Sequence, residues 1–328
     1  MNLDEAAQRL GALPGVRVLR GEPLSRHTRF GIGGPAGLLA ETNCEPSFTS
    51  MIRILRDAGS PYLVIGEGTN LIVSDGGYPG AVLRYTASRI SLSGSRVHAE
   101  AGAALQTLVD ATIDWGLKNI HTMTGIPGTT GAAVYGNAGA YGHSISESVH
   151  AVRFFDGAAV REFTRPECEF HYRESVFKRR KDWVVLSVTL DLEPAEPAEL
   201  RRAAGEILAI RNQKYPPSMK CAGSIFKNLL FAELPPAVAA RVPERVVREG
   251  KVPSAYFLEE VGAKGMTRGG IRVAAYHANL IYNEGNGDAA DLVQLISELK
   301  DRVRDRFALN LEEEVQYVGF QNEPVKIV

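Results

Sequence analysis

The chain has 328 residues, of which 45% are hydrophobic and 23% charged, as in an ordinary globular protein of two or three domains. Its formal net charge is -1 and its isoelectric point is about 6.7. This balance argues against a nucleic-acid partner attracted by bulk charge. We expect neither a nucleic acid nor an obligate protein partner.

The cysteine content and the hydropathy of the chain bear on its cellular compartment. Cys44, Cys168 and Cys221 lie far apart and form neither a metal-ligand spacing nor a disulfide framework, which favours a reducing compartment. No stretch approaches the roughly 20 apolar residues of a membrane span. Residues Met1–Leu10 include acidic side chains and no apolar run of signal-peptide length. We therefore predict a cytoplasmic protein without a metal site or a membrane partner.

The first part of the chain is predicted to alternate short strands with helices. Residues 1–24 read as a short helix and an extended lead-in. Met51, Ile52 and Leu55 fall at helical spacing, which predicts a helix from about Ser47 to Ala58. The elements that follow are predicted strands at Tyr62–Ile65, Leu71–Val73, Ala81–Tyr85 and Val97–Ala101, then a helix at Ala104–Trp115.

A short glycine loop joins two of these strands. Gly66-Glu67-Gly68-Thr69-Asn70 follows one strand and runs directly into the next. A Rossmann turn would open a helix and would place a third glycine where Leu71 stands. The sequence therefore disfavours a Rossmann NAD site. It leaves a loop whose main-chain N–H groups can bind phosphate.

The segment Gly125–Gly142 holds six glycines and four alanines in eighteen residues. A helix throughout is disfavoured, because each glycine costs about 1 kcal/mol relative to alanine. The segment is also too apolar for a solvated linker. We interpret the small side chains as allowing main-chain N–H groups to approach a large polar ligand. The alternative is a tightly packed turn inside a protein core.

The second part of the chain mixes strands and helices in a similar way. Val149–Phe155 and Ala158–Phe163 are predicted to form a hairpin with its turn at Asp156-Gly157. The remaining predictions are a strand at Trp183–Leu192, an amphipathic helix at Ala198–Lys214, a helix at Ser254–Val261, strands at Ile271–Ala275 and Asn279–Tyr282, a helix capped by Asp288, and a strand at Glu314–Gly319. This mixture predicts an α+β fold class.

Seven blocks of the sequence share one pattern when they are taken together. They are Thr28–Ala36, Gly66–Leu71, Gly125–Gly142, Tyr172–Lys178, Gly223–Asn228, His277–Asn279 and Leu311–Val315. Each block alone is moderately specific, whereas seven in the right order, spread over residues 25–319, are very specific. Together they resemble one family, the UDP-N-acetylenolpyruvoylglucosamine reductases. Thr69 and Leu229 depart from the family pattern, which usually has serine and proline at these positions.

The resemblance implies a FAD-binding domain of the para-cresol methylhydroxylase type in two subdomains, followed by a C-terminal α+β substrate-binding domain. We place the first subdomain at residues 1–87, the second at 88–215 and the substrate-binding domain at 216–328. The segment Pro194–Cys221 is too short for the extra tyrosine-bearing loop of one family subtype. The chain therefore resembles the subtype that lacks this loop.

The resemblance also implies a reaction. It is the NADPH-dependent reduction of the enolpyruvyl group of UDP-N-acetylglucosamine enolpyruvate to UDP-N-acetylmuramate, a step of peptidoglycan biosynthesis. Non-covalent FAD would pass a hydride to carbon 3, and carbon 2 would take up a proton. Arg173 matches the family's catalytic arginine, and its planar guanidinium suits a carboxylate. Ser224 is expected to protonate carbon 2, and Glu314 to polarise the substrate carboxylate or to support protonation.

The resemblance assigns the binding residues as well. FAD is expected to contact the glycine-rich loops, at Gly66, Gly68, Thr69, Asn70, Gly125, Gly128, Thr129, Gly131, Asn137 and Gly139. The UDP-sugar is expected to contact Tyr172, Lys214, Lys227 and Asn228, with the lysines balancing its pyrophosphate. The basic run Lys178–Lys181 is a second candidate for balancing this pyrophosphate, but we favour a solvated loop before the strand at Trp183.

Two other functions stay open at this point. One is a flavin oxidase of the same superfamily, which would use oxygen and another substrate, in some cases with covalently attached FAD. The other is a UDP-sugar or nucleotide binder without catalysis. The colour of the purified protein and the release of flavin on heating distinguish these possibilities.

Overall fold

The computed structural model of the chain describes residues 2–320, so the end of the predicted third domain, residues 321–328, lies outside the described residues. Within this range no helix is long and apolar enough to cross a membrane. The α-helices are α1 (Leu3–Gly11), α2 (Glu45–Asp57), α3 (Leu105–Asp114), α4 (Thr130–Tyr135), α5 (Val176–Arg179), α6 (Pro197–Lys214), α7 (Pro236–Ala239), α8 (Ser254–Glu260) and α9 (Ala289–Phe307).

The strands are short. Those of three or more residues are β1 (Arg17–Arg20), β2 (Ala36–Thr42), β3 (Tyr62–Val64), β4 (Leu71–Val73), β5 (Tyr78–Tyr85), β6 (Ile90–Ser93), β7 (Arg96–Glu100), β8 (Val149–Phe155), β9 (Val160–Thr164), β10 (Val184–Asp191), β11 (Ile271–Val273), β12 (Ile281–Asn283) and β13 (Gln316–Val318). Two-residue strands pair Leu117–Lys118 with Glu193–Pro194, Gly139–Ala140 with His143–Ser144, Leu229–Leu230 with Lys251–Val252, and Thr267–Arg268 with β11.

The first sheet has the strand order β1-β2-β5-β3. Strands β2, β5 and β3 run parallel, and β1 is antiparallel to β2. Helix α2 buries Phe48, Met51 and Ile52 in the same core as Leu38 and Leu83 of this sheet. Burial on both faces explains why these parallel strands are nearly continuous apolar runs. The loop of residues 66–70 leaves the carboxyl end of β3.

The second sheet is antiparallel throughout, with the order β9-β8-β10-β7-β6. Helix α3 buries Leu105, Leu108 and Val109 in a core shared with Val188 of β10. Helix α4, the helical part of the glycine-alanine segment, packs against β10. Its small side chains let the main chain come close to the sheet.

The C-terminal part of the chain packs a long helix on a small sheet. Helix α9 begins after Asp288, whose Oδ1 accepts a 2.8 Å hydrogen bond from the N–H of Asp291, as the sequence predicts for an N-cap. Its buried face, which includes Leu292 and Leu299, forms a core with β11 and β12. Phe30 and Ile72 from the N-terminal part join this core. Strand β13 then returns to pair in parallel with β4.

Some element boundaries differ from the predicted ones, and local hydrogen bonds explain two of them. The second hairpin strand starts at Val160 rather than at residue 158, because Oδ1 of Asp156 accepts the N–H groups of Ala158 and Ala159. The strand predicted from Asn279 starts at Ile281, because residues 277–280 form a turn.

Helix α6 is the largest departure from the predicted pattern. The sequence predicts an amphipathic helix, but only Leu200 and Ala204 of α6 are buried. Leu208 and Ile210 are exposed on its second half. The first half packs against α3, and the second half borders the cavity described next.

Candidate active site

A cavity of about 560 Å³ opens between the two sheets and the C-terminal part of the chain. Its volume falls in the range of small-molecule sites. The cavity is lined by both glycine-rich segments and by charged side chains from distant parts of the sequence. The predicted site residues on its wall are Gly66, Gly68, Thr69, Asn70, Gly125, Thr129, Gly131, Gly139, Arg173, Ser224 and Glu314.

The loop of residues 66–70 lines this cavity and has free main-chain donors. The N–H groups of these five consecutive residues make no hydrogen bond to any other described residue. Gly68 has φ of +59°, and a Cβ at this position would overlap the carbonyl oxygen of His27. The loop therefore packs directly against the main chain at His27, next to the segment Thr28–Ala36. A run of unpaired N–H groups on a cavity wall is a general device for binding phosphate.

The glycine-alanine segment combines close packing with a cavity wall. The N–H of Gly131 donates to the carbonyl oxygen of Ala101 at 2.8 Å, and a Cβ on Gly131 would lie 2.7 Å from Cβ of Ala101. The N–H of Gly125 donates to Oε1 of Gln106 at 2.6 Å. Packing against protein therefore accounts for Gly131, while the segment as a whole still borders the cavity. Small side chains on this wall and the main-chain donors of residues 66–70 together suit the pyrophosphate of a dinucleotide.

Arg173 meets Glu314 on the cavity wall. Nε of Arg173 lies 2.8 Å from Oε1 of Glu314, an ion pair in which the N–H does not point at the oxygen. Nη2 of Arg173 donates to the carbonyl oxygen of Gly139 at 3.0 Å. About a quarter of each charged side chain is exposed, so both can reach a ligand in the cavity.

Glu314 is positioned by Asn70. Nδ2 of Asn70 donates to the carbonyl oxygen of Glu314 at 2.8 Å. The N–H of Glu314 donates to the carbonyl oxygen of Ile225 at 2.7 Å. Its neighbour Glu313 pairs with Lys300 on α9 at 2.8 Å, away from Arg173. The predicted strand starts only at Gln316, and the two neighbouring carboxylates outside it have different partners, Arg173 for Glu314 and Lys300 for Glu313.

Ser224 follows Gly223, which has φ of +79°, and lies on the same cavity wall. The adjacent residues are held by Asn279, whose carbonyl oxygen accepts the N–H of Ile225 at 3.1 Å. The Asn279 side chain also exchanges two hydrogen bonds with the main chain of Phe226. The position of Ser224 is therefore set by the His277–Asn279 block.

His277 has a structural environment. Its Nδ1 accepts the N–H of Asn279 at 3.2 Å. Burial, followed by the charge of Lys214, lowers the pKa of His277 to about 4. The imidazole is therefore neutral at pH 7.

Six of the predicted binding residues are not among those that line the described cavity: Gly128, Asn137, Tyr172, Lys214, Lys227 and Asn228. The amide of Asn137 is directed at protein, since Nδ2 donates to the carbonyl oxygen of His171 at 2.8 Å and Oδ1 accepts the N–H of Ser146 at 3.4 Å. The Tyr172 hydroxyl accepts the N–H of Asn228 at 3.4 Å. Asn137 and Tyr172 thus support the turn that carries Arg173.

Lys227 and Lys214, the two lysines proposed from the sequence, have different neighbours. Nζ of Lys227 lies 3.1 Å from Oε1 of Glu174 and 2.6 Å from Oε1 of Glu312. Burial alone would lower the pKa of Lys227, but the hydrogen bonds and charges of both carboxylates raise it. Nζ of Lys214 lies 5.0 Å from the ring centre of Tyr215, which lines the cavity.

Arg211 is a cavity residue that the sequence analysis does not identify. Its Nε is buried without a hydrogen-bond partner among the described residues, and burial lowers its pKa. Arg211 lies on the helical stripe of Leu200, Ala204 and Leu208 in α6. A charged residue on the predicted apolar face of this helix was the signal that could have found it.

The basic run before β10 is only partly solvated. Lys178 and Lys181 line the cavity, whereas Arg179 and Arg180 are exposed. The interpretation of this run as a solvated loop is therefore wrong for the two lysines. Nζ of Lys181 donates to the hydroxyl of Tyr135 at 3.2 Å, and this hydroxyl donates to Oε1 of Gln316 at 3.2 Å.

Comparisons with known proteins agree with this architecture. A FAD-binding domain model matches residues 39–159, which cover much of both sheets and both glycine-rich segments. The fold and the cavity thus define a FAD-containing oxidoreductase, and the predicted para-cresol methylhydroxylase-type α+β fold is confirmed. The model for the UDP-N-acetylenolpyruvoylglucosamine reductase C-terminal domain matches residues 215–318.

Similar proteins extend over nearly the whole chain. The UDP-N-acetylenolpyruvoylglucosamine reductase of Solibacter usitatus is 60% identical over 95% of this chain and 100% of its own length. That of Syntrophus aciditrophicus is 35% identical over 92% of each chain. The crystal structure of the Thermus caldophilus reductase superposes with a TM-score of 0.71 at 28% identity, over 93% of this chain and 99% of that one. The chain belongs to the UDP-N-acetylenolpyruvoylglucosamine reductase family of peptidoglycan biosynthesis.

The packing of Gly68 gives a first prediction. Gly68→Ala places a methyl group against the His27 carbonyl in a left-handed residue, so we expect it to lower the free energy of unfolding by about 2–4 kcal/mol and to weaken FAD binding. The matched control is Gly94→Ala, because Gly94 has φ of +62° but no neighbouring atom of residues 2–320 within 4 Å of the added Cβ. The control should lose about 1 kcal/mol and keep its FAD affinity. Denaturant unfolding and FAD titration measure both quantities. Equal losses in the two variants would contradict the close contact.

Proposed function

We propose that this chain reduces UDP-N-acetylglucosamine enolpyruvate to UDP-N-acetylmuramate with NADPH as the electron donor. FAD, when bound, supplies the hydride that goes to carbon 3 of the enolpyruvyl group. The residues of the chain bind and orient the substrate and deliver a proton to carbon 2. The observation that carries the proposal is that Arg173, Ser224 and Glu314 share one cavity with the unpaired N–H groups of residues 66–70.

Arg173 and Glu314 are proposed to manage the substrate carboxylate. Negative charge develops on carbon 2 and its carboxylate as carbon 3 is reduced, and a fixed guanidinium stabilises this charge without reorganisation. Nε of Arg173 lies 2.8 Å from a carboxylate oxygen of Glu314, and this ion pair supports a role for the guanidinium in binding carboxylate groups. Glu314 holds the guanidinium in place and supports protonation.

Ser224 is proposed to give the proton to carbon 2. A serine hydroxyl is a weak acid, but a carbanion is a strong base, so the transfer is feasible when the two atoms are held close. The hydrogen bonds of Asn279 to the following residues keep Ser224 on the cavity wall.

The binding residues are proposals too. We propose that FAD contacts the N–H groups of residues 66–70 and the small residues of the glycine-alanine segment, including Gly128. Asn70 and Asn137 have their side-chain amides directed at protein atoms, so we propose that they support this site through their main chains and neighbours. For the UDP-sugar we keep Tyr172, Lys214, Lys227 and Asn228 as proposed contacts. We add Arg211, whose Nε is buried without a hydrogen-bond partner among the described residues. The divisions after residues 87 and 215 remain proposed domain boundaries.

The absorbance spectrum of the purified protein tests this function. We expect a yellow protein whose flavin band is bleached by NADPH under anaerobic conditions and returns when the enolpyruvyl substrate is added. Heat precipitation should release the flavin into the supernatant, because the proposed FAD is not covalently bound.

Other outcomes of the same measurements would favour the alternatives. Flavin that stays on the precipitated protein, together with reoxidation by oxygen and not by the enolpyruvyl substrate, would indicate a flavin oxidase. A colourless protein that binds a UDP-sugar and cannot be reconstituted with FAD would indicate a binder without catalysis.

A further inference from the structure

The turn that carries Arg173 has an unusual backbone conformation. His171 and Glu174 pair through two main-chain hydrogen bonds of 3.0 and 3.1 Å, which makes Tyr172 and Arg173 the central residues of a tight turn. Arg173 has φ of +58°, at a turn position that normally takes glycine. An arginine in this conformation persists only when its surroundings hold it there.

Lys178 on α5 supplies one part of this support. Its Nζ donates a 2.8 Å hydrogen bond to the carbonyl oxygen of Arg173 and another of 2.8 Å to Oε1 of Glu174. The Lys178 side chain is 15% exposed, so both bonds are largely shielded from water. The ammonium group thus ties the main chain of Arg173 to the carboxylate of the next residue.

The same oxygen of Glu174 also reaches the C-terminal part of the chain. Nζ of Lys227 contacts Oε1 of Glu174 at 3.1 Å, and the N–H of Lys227 donates to the carbonyl oxygen of Glu312 at 2.9 Å. Glu312 lies two residues before Glu314, the ion-pair partner of Arg173. Glu174 therefore connects the turn of Arg173 with the segment that carries Glu314.

The charges explain why Glu174 is central to this arrangement. Burial alone would raise the pKa of Glu174, but hydrogen bonds and charges from Lys178 and Lys227 outweigh burial and lower it. Glu312 is 72% exposed, so water screens its interaction with Lys227. Without the charge of Glu174, two largely buried ammonium groups would face each other across a neutral side chain.

We propose that Glu174 is a positioning residue that fixes the orientation of Arg173 toward the cavity, acting through Lys178 on the turn and through Lys227 on the Glu314 segment. The inference rests on the proposed function, in which Arg173 holds the substrate carboxylate. Glu174 does not touch the substrate in this scheme. Its effect on the reaction passes through Arg173.

The test begins with the Glu174→Gln variant in the FAD-loaded protein. We expect the single-turnover reduction of the enolpyruvyl substrate to slow on the order of 10- to 100-fold, because small misplacements of a catalytic group have effects of this size. FAD content and the rate of flavin reduction by NADPH should stay within about twofold of the unchanged protein. The matched control is Glu312→Gln, which removes the exposed partner of Lys227 and should leave both rates unchanged.

A double-mutant cycle separates positioning from general destabilisation. If Glu174 acts through Arg173, adding Glu174→Gln to Arg173→Met should cause no further slowing. A structural defect would slow both backgrounds equally. Lys178→Met provides a second cycle with the same expectation, and it decides the question if Glu174→Gln does not yield folded protein.

The possible failures are distinct. Additive slowing in the Arg173→Met background, or an unimpaired substrate step in Glu174→Gln, would overturn the positioning role. A fast substrate step in Arg173→Met alone would instead overturn the proposed function of Arg173.

Discussion

Ser224→Ala is expected to leave the reduction of bound flavin by NADPH nearly unchanged and to slow the reduction of the enolpyruvyl substrate by about 10²–10⁴-fold. The variant lacks the proposed proton donor, whereas the residues that line the rest of the cavity are untouched. Anaerobic stopped-flow measurements at the flavin band follow the two half-reactions separately. The first half-reaction therefore serves as an internal control for folding and FAD content.

Ser218→Ala is the matched control for this variant. Ser218 is exposed and lies six positions before Ser224 in the same connecting segment. Its loss should affect neither half-reaction. If Ser224→Ala reduced the substrate as fast as the control, another group would have to protonate carbon 2.

Arg173→Met is expected to slow the substrate half-reaction by about 10²–10³-fold, because a preorganised positive charge at the developing carbanion is lost. Arg173→Lys should recover only part of this loss, since an ammonium group keeps the charge but cannot form the planar fork of a guanidinium. The same stopped-flow experiment gives the rates, and titration of the oxidised protein with substrate gives the affinity.

Arg179→Met controls for the loss of an arginine from this region. Arg179 lies at the end of α5 and pairs with Glu169 on the surface, so its removal should have little effect on either rate. A substrate half-reaction that is equally fast in Arg173→Met and in this control would remove Arg173 from the mechanism.

Local sequence patterns predicted many of the elements of this fold. The alternating and helical patterns predicted β4, β8 and α3 to within a residue of their observed bounds, and they predicted the start of α9. Asp288 was predicted as an N-cap because capping involves neighbours along the chain. Boundaries that depend on a side chain folding back onto the main chain, such as the start of β9 after Asp156, were missed.

The site was predicted less evenly. The two glycines of the loop 66–70 predict main-chain N–H groups available for a phosphate, and the resemblance assigns this loop to FAD. Arg173, Ser224 and Glu314 were selected by resemblance, and the structure brings all three to one cavity. Arg211 is not predicted from the sequence. Only the packing of α6 determines whether a charged side chain in its amphipathic pattern faces the cavity or the solvent.

The sequence by itself determined the family, the α+β class and the glycine-rich segments that line the cavity, because these follow from local composition and from the order of the motifs. Only the tertiary structure decided how the side chains are used. It directs the amide of Asn70 to Glu314, the amide of Asn137 to His171 and Glu174 to two lysines. The physical reason is that a buried polar group must find a partner, and that partner can be more than two hundred residues away along the chain.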